Sequence, residues 1–210
     1  MYLFSRLATL GGNERSALTW AAEMTSYVND HSDHNLTLWR TDFGYPVGTV
    51  AWSAWADSMD SLNKGFAGLA DDDGYYDLLD KGEAFTTDPP QDQLRQAIHG
   101  GPGEAPPPLG AVTSITTAVA AGGQYAEAMA WGVEMAQLVQ EITGQTSLFM
   151  SDVYGTFGQV TWLTGAADMA AVDASTDAIA ANAEYLGRLG AVGDLFGPAS
   201  GHQRLVTRIA

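Results

Sequence analysis

The chain offers few side chains suited to chemistry, and their types narrow the field before any fold is considered. No cysteine occurs among the 210 residues, so thiolate catalysis, Cys-ligated zinc, iron–sulfur clusters and disulfides are all excluded. The densest run of metal-competent groups is DHSDH, residues 30–34. There His31 and His34, with Asp30 or Asp33, offer nitrogen and oxygen ligands. A fourth ligand and a recognisable spacing are missing, and a histidine where a helix ends is also favoured by the helix dipole. No metal and no other cofactor is therefore inferred. His99 and His202 stand alone, and no Ser-His-Asp arrangement can be traced. Two arginines, Arg6 and Arg40, lie in segments of strand character. On neighbouring strands they would clamp a carboxylate or enolate through forked N–H groups. Solvated surface arginines are the plain alternative.

Charge sets the next bound. Acidic residues number 25 against 9 basic ones, a formal net charge of −16. Such a surface repels phosphates, so nucleic acid is excluded as a partner class. The N-terminal MYLFSRLATL lacks a basic leader followed by a long apolar core, and no apolar run reaches membrane-spanning length. No membrane association and a cytoplasmic location are the expectation.

Those residues must be positioned by a fold that is written twice. Shifted by 111 residues, Gly11-Gly12, Ala17, Trp20, Glu23, Met24 and Val28 fall on Gly122-Gly123, Ala128, Trp131, Glu134, Met135 and Val139. One residue later lost, Gly48, Val50, Trp52, Met59, Tyr75 and Leu79 fall on Gly158, Val160, Trp162, Met169, Tyr185 and Leu189. Matches of Trp and paired Gly in register over a half indicate duplication. The halves are 1–99 and 111–210, joined by a Gly/Pro spacer over 100–110 whose prolines deny it a helix.

Each half reads the same way. Residues 2–9 predict a strand, broken by Gly11-Gly12. Asn13 caps a helix in which Ala17, Trp20, Ala21, Met24 and Val28 share one apolar face. Residues 35–43 and 47–55 predict a hairpin around GYPVG. Ser58 starts a further helix, a short helical piece follows Gly74, and 92–99 predicts a last strand. The order β-α-β-β-α-β is ferredoxin-like, which leaves one sheet face uncovered. Two copies in one chain cover each other. The fold class expected is α+β, two ferredoxin-like repeats forming an intramolecular, pseudo-dimeric α/β barrel.

The hairpin and its exit, LTLWRTDFGYPVGTVAWSAWADSMDSL, and the copy LFMSDVYGTFGQVTWLTGAADMAAV resemble the dimeric α/β-barrel superfamily. A Gly before the third strand and an aromatic within it look like the NIPSNAP-like branch. WADSMDSL resembles the strand exit of antibiotic-biosynthesis-type monooxygenases and related haem-degrading enzymes. The resemblance implies a barrel and a small-molecule site. It leaves open a cofactor-independent monooxygenase or isomerase, a haem-binding barrel, and a protein with no reaction. Haem-degrading members carry a His on the helix after the Trp exit, and neither copy of that helix has one here.

Alternation along the third strand assigns the recurring Val50 and Trp52 to the helix side. Thr49, Ser53, Trp55, Gln159 and Thr161 then look into the barrel as candidate ligand-binding residues, unless the interior is simply packed. Asymmetry between copies adds Arg6, matched to Thr117, Arg40, matched to Ser151, and Trp39, matched to Met150. The leading expectation is a barrel that binds a small aromatic or anionic molecule, with Trp55 shaping the pocket and Arg6 or Arg40 fixing the charge. The alternative is a non-catalytic interaction or assembly protein, with self-association into a homo-oligomer as one form of it.

Overall fold

The computed structural model describes all 210 residues. The first half contains β1 (Tyr2–Thr9), α1 (Glu14–His31), β2 (Thr37–Phe43), β3 (Thr49–Ala56), α2 (Met59–Ala67), a 3-10 turn (Gly68–Asp71), α3 (Asp73–Glu83) and β4 (Gln91–His99). The second contains β5 (Val112–Val119), α4 (Tyr125–Thr143), β6 (Ser147–Tyr154), β7 (Gln159–Ala166), α5 (Met169–Ala181), α6 (Ala183–Gly190) and β8 (His202–Arg208).

The strands close into one antiparallel barrel in the order β1-β3-β2-β8-β5-β7-β6-β4. Within that ring, β4-β1-β3-β2 and β8-β5-β7-β6 are the two ferredoxin-like sheets. Their edges pair, β2 with β8 and β4 with β6. The halves thus face each other and also share backbone hydrogen bonds at both seams, which leaves no open strand edge. Every neighbour is antiparallel, so β2 and β6 run the same way. The β2–β3 and β6–β7 hairpins therefore project from one end of the barrel, called here the hairpin end.

Local chemistry explains the helices. The Asn13 side chain accepts the Ser16 N–H at 3.0 Å, and Glu14 sits in the first turn of α1. Ser58 and Ser61 form a reciprocal capping box at the start of α2. The repeated tryptophans are the core of each half. Trp20 meets Trp52 edge to face at 5.9 Å, and Trp131 meets Trp162 at 6.0 Å. Their N–H groups are satisfied: Trp20 Nε1 donates to Leu78 O at 2.7 Å, and Trp162 Nε1 to Gly132 O at 2.9 Å. The first half buries a contiguous cluster of 14 apolar residues around this pair, against 4 in the second. Glu23 and Glu134 are exposed on α1 and α4 and so do not share a site; Glu134 pairs with Arg188 at 2.9 Å.

Candidate functional site

Strand register decides which side of the barrel wall each candidate occupies. Leu38 lies opposite Trp52 and Trp39 opposite Ala51, so Trp39 joins Thr49, Ala51, Ser53 and Trp55 on the lumen side. In the copy, Gln159, Thr161, Leu163 and Gly165 face the lumen, while Val160 packs with the helix-side cluster. The assignment of Val50 and Trp52 to the helices is thus correct. The lumen around Trp55 and its first-half neighbours is well filled. Trp55 packs on Leu3, Met150 and Leu163. Ser5 and Ser53 hydroxyls are 2.9 Å apart, the Thr49 hydroxyl donates to Pro46 O at 2.7 Å, and Trp39 Nε1 donates to Thr37 Oγ1 at 2.8 Å.

The two arginines do not join them. Arg6 lies opposite Trp52 on β3, and Arg40 opposite Val50; both therefore stand on the outer, helix-covered side, away from Trp55. Arg40 is half exposed and pairs with Asp42 at 3.1 Å. The counterpart of Arg6 is also one residue earlier than a uniform shift suggests. Thr116, not Thr117, lies opposite Trp162, because the extra residue falls between the first strand and the first helix. The histidines are separately engaged. His31 is exposed, with Nδ1 2.9 Å from Tyr27 O. His34 is buried, with Nε2 2.9 Å from Leu62 O, an arrangement in which Nε2 carries the hydrogen.

Arg6 instead borders a hollow of about 350 Å3 between β1 and the α2–α3 arm, near the lower bound for ligand sites. Its apolar wall includes Phe4, Met59, Leu62, Phe66 and Leu69. Phe4 and Phe66 meet edge to face at 5.5 Å. The polar wall includes Arg6, Asp92 and Tyr75, with Asn63 beside them. Arg6 donates from Nε to Asp92 Oδ1 at 2.7 Å and from Nη2 to Asp92 Oδ2 at 2.8 Å. That fork leaves three guanidinium N–H groups free. The hydrogen bond to Asp92 pushes the Arg6 pKa up against the opposing pull of burial, and Tyr75 adds to the rise. Arg6 therefore stays cationic at any working pH. In the second half the matching positions are Ser114, Thr116 and Gln203 for Phe4, Arg6 and Asp92. The charged wall exists once per molecule.

A second polar group lies inside the lumen and was not singled out in the sequence. The Arg95 and Asp152 side chains, 4% and 3% exposed, pair across the β4–β6 seam at 3.4 Å. Gln159 Nε2 and the Thr161 hydroxyl donate to the two Asp152 oxygens at 2.5 and 3.0 Å. Two of the sequence candidates thus serve to hold this carboxylate. The missed residues had a signal in the repeat. In the opposite seam Val206 and Thr41 pair where Arg95 and Asp152 do here, so one seam holds a buried ion pair and the other an uncharged contact.

No protein-family profile and no curated protein matches the chain. Solved structures resemble it over its whole length. An anthrone oxidase-like protein is 15% identical with a TM-score of 0.68, the alignment covering 100% of this chain and 91% of that one. A proposed monooxygenase from Fusobacterium nucleatum is 5% identical with a TM-score of 0.69, covering 100% and 92%. A chlorite dismutase from Candidatus Nitrospira defluvii is 10% identical with a TM-score of 0.52, covering 99% and 92%. These likenesses establish the fold: the chain is a tandem dimeric α/β barrel of eight strands. No helix is long and apolar enough to cross a membrane.

The haem-binding reading fares poorly on the residues present. Protein ligands to haem iron are His, Cys, Met or Tyr. The hollow is lined by no His or Cys; of that set it holds only Met59, which is exposed at the start of α2, and Tyr75, which lies beside Arg6. His34 packs behind Phe66, its ring 4.3 Å away, and its Nε2 is held by Leu62 O. Asp92 would also oppose a propionate at Arg6. The hollow thus offers haem iron neither a histidine nor a thiolate.

Proposed function

We propose that the protein binds a small, partly aromatic molecule carrying an acidic hydroxyl or an enolisable carbonyl in the Arg6 hollow. It acts on that molecule as a cofactor-independent monooxygenase or isomerase. The observation that carries this reading is the single polar wall of Arg6, Asp92 and Tyr75 facing the Phe4–Phe66 surface, with nothing charged at the equivalent place in the other half. Arg6 holds the substrate oxygen as its anion forms, through the N–H groups that Asp92 leaves free. The electron-rich carbon can then take a proton elsewhere, which is isomerisation. Alternatively, it can react with dioxygen. A ring-activated CH2 becomes C=O, one oxygen atom entering the carbonyl and the other leaving as water with the two hydrogens. The names of the anthrone oxidase-like protein and the proposed monooxygenase favour oxidation. The NIPSNAP-like branch rests on Gly48 before β3 and Trp52 within it, and speaks to ancestry more than to reaction.

The test is a panel of phenols and anthrone-like ketones, followed by ligand-detected NMR and an oxygen electrode. Binding that falls about tenfold or more in Arg6→Gln, a folded variant, supports the site. Absence of both binding and oxygen uptake across the panel retires the reading.

A second reading, a non-catalytic assembly protein, is favoured by one feature. Phe43, Val47, Tyr154 and Phe157 are exposed together at the hairpin end, Val47 and Phe157 at 97%. Self-association abolished by Val47→Lys with Phe157→Lys, measured as solution mass, would support it; a monomer throughout would not.

A further inference from the structure

The lumen holds a cation with no counterion. Five side chains lie on five consecutive strands of the barrel: Arg95 on β4, Asp152 on β6, Thr161 on β7, Thr117 on β5 and Arg204 on β8. They are linked in sequence. Arg95 pairs with Asp152, and Thr161 donates to Asp152. Thr161 lies opposite Thr117, whose hydroxyl accepts from Arg204 Nη1 at 3.1 Å. This half-ring contains two guanidinium groups and one carboxylate. The carboxylate is already taken by Arg95, Gln159 and Thr161.

Arg204 forms no ion pair, although the molecule carries a net charge of −16. Its Nε is buried without a hydrogen-bond partner, and so is that of Arg95, a residue 3% exposed. An unmet buried donor on a charged group is costly and calls for an explanation. The side chain is oriented but not neutralised. Thr117 takes Nη1, and the face of the guanidinium lies on the Tyr45 ring at 4.7 Å. What is left is the Nε–Nη2 edge. This is the same edge by which Arg6 grips the Asp92 carboxylate elsewhere in the molecule.

We propose that the half-ring headed by Arg204, at the hairpin end of the lumen, is a binding site for the carboxylate of a small organic acid. The carboxylate sits bidentate on the unpaired Nε–Nη2 edge and neutralises the one guanidinium of the half-ring that Asp152 does not. Arg204 is half-buried, and the residue that packs on its guanidinium, Tyr45, belongs to the β2–β3 hairpin. The site is separate from the Arg6 hollow, which lies outside the barrel wall. It gives the anion a place inside a protein whose outer surface repels anions, so selectivity rests on the fork geometry rather than on long-range attraction.

Arginine side-chain NMR tests this directly on the full chain, with acetate and benzoate as probes and chloride at matched ionic strength as reference. A saturable shift of the Arg204 Nε–H resonance with the carboxylates but not with chloride is expected. Arg204→Lys keeps the charge and removes the fork, and should weaken binding about tenfold. Arg204→Gln should abolish it, while Arg6→Gln leaves it unchanged. An Arg204 Nε–H that carboxylates do not move in the wild-type protein overturns the proposal, whatever the variants do. Binding lost in Arg6→Gln and kept in Arg204→Lys overturns it equally, by assigning the carboxylate to the outer hollow. Should Arg204→Gln fail to fold, the wild-type resonance and the lysine variant still decide.

Discussion

Tyr27 donates its phenolic hydrogen to Asp72 Oδ1 at 2.6 Å, tying the C-terminal part of α1 to the cap of α3. Asp72 Oδ1 also accepts the backbone N–H groups of Gly74 and Tyr75 at 2.9 and 3.1 Å. Tyr75 is the residue that completes the polar wall of the Arg6 hollow. A contact outside the hollow thereby sets the position of one of its walls.

The same contact predicts a pH response. The bond to Asp72 pushes the Tyr27 pKa up to about 12, and the bond from Tyr27 holds the Asp72 carboxyl below its ordinary value. A raised tyrosine contributes stability that is complete below its unfolded value and is lost as pH rises through about 12. A depressed carboxylate contributes stability that is complete above its unfolded value and is lost as pH falls through the folded one. Tyr27→Phe removes both contributions. Its unfolding midpoint should lie below wild type near neutral pH, and the gap should narrow at both extremes. A gap independent of pH would refute the coupling.

Breaking the lumen ion pair should be severe. Asp152→Asn leaves Arg95 buried without a carboxylate, and a loss of about 3–5 kcal/mol is expected from urea unfolding. Replacing both, Arg95→Met with Asp152→Leu, should recover most of that loss. A mild single variant would show that water or another group reaches Arg95.

Two glycines are required by close approach. A Cβ at Gly82 in α3 would lie 2.1 Å from Trp20 Cζ2, and one at Gly132 in α4 would lie 2.3 Å from Phe149 Cζ. Alanine normally favours a helix over glycine. Here each alanine substitution should instead cost about 1–3 kcal/mol, because the buried ring must shift. A stabilised Gly82→Ala would refute the packing.

The helices should open unequally. α1 buries six residues, among them Trp20 and Met24, whereas α5 and α6 bury none. Amide hydrogen exchange should be fast throughout α5 and α6 and slow in the middle of α1. Equal protection would contradict the difference in burial between these helices.

Much of the fold is legible because it rests on local rules. The span of β1 and the caps at Asn13 and Ser58 follow from residue type and period. So does the helix-facing pair Val50 and Trp52. The site is less legible because it depends on register between distant strands. Alternation says that Arg6 and Trp55 each face one side of a sheet, but only the pairing of Arg6 with Trp52 shows that the sides differ. Arg95 and Asp152 lie 57 positions apart in different halves, and they meet through a seam that no periodicity announces. Asp92 reads as the start of a strand, and its role comes only from lying opposite Arg6.

Closure of both halves in one chain has a consequence for how such a molecule can specialise. A homodimer of a single half is bound by its own symmetry: every useful residue is installed twice, and so is every harmful one. In the fused chain each position is chosen once. The first half keeps Arg6 and Asp92 over a large core, while the second replaces them with Thr116 and Gln203 and supplies Asp152, Thr117 and Arg204 to the shared interior. Joining the copies turned a duplicate into a division of labour.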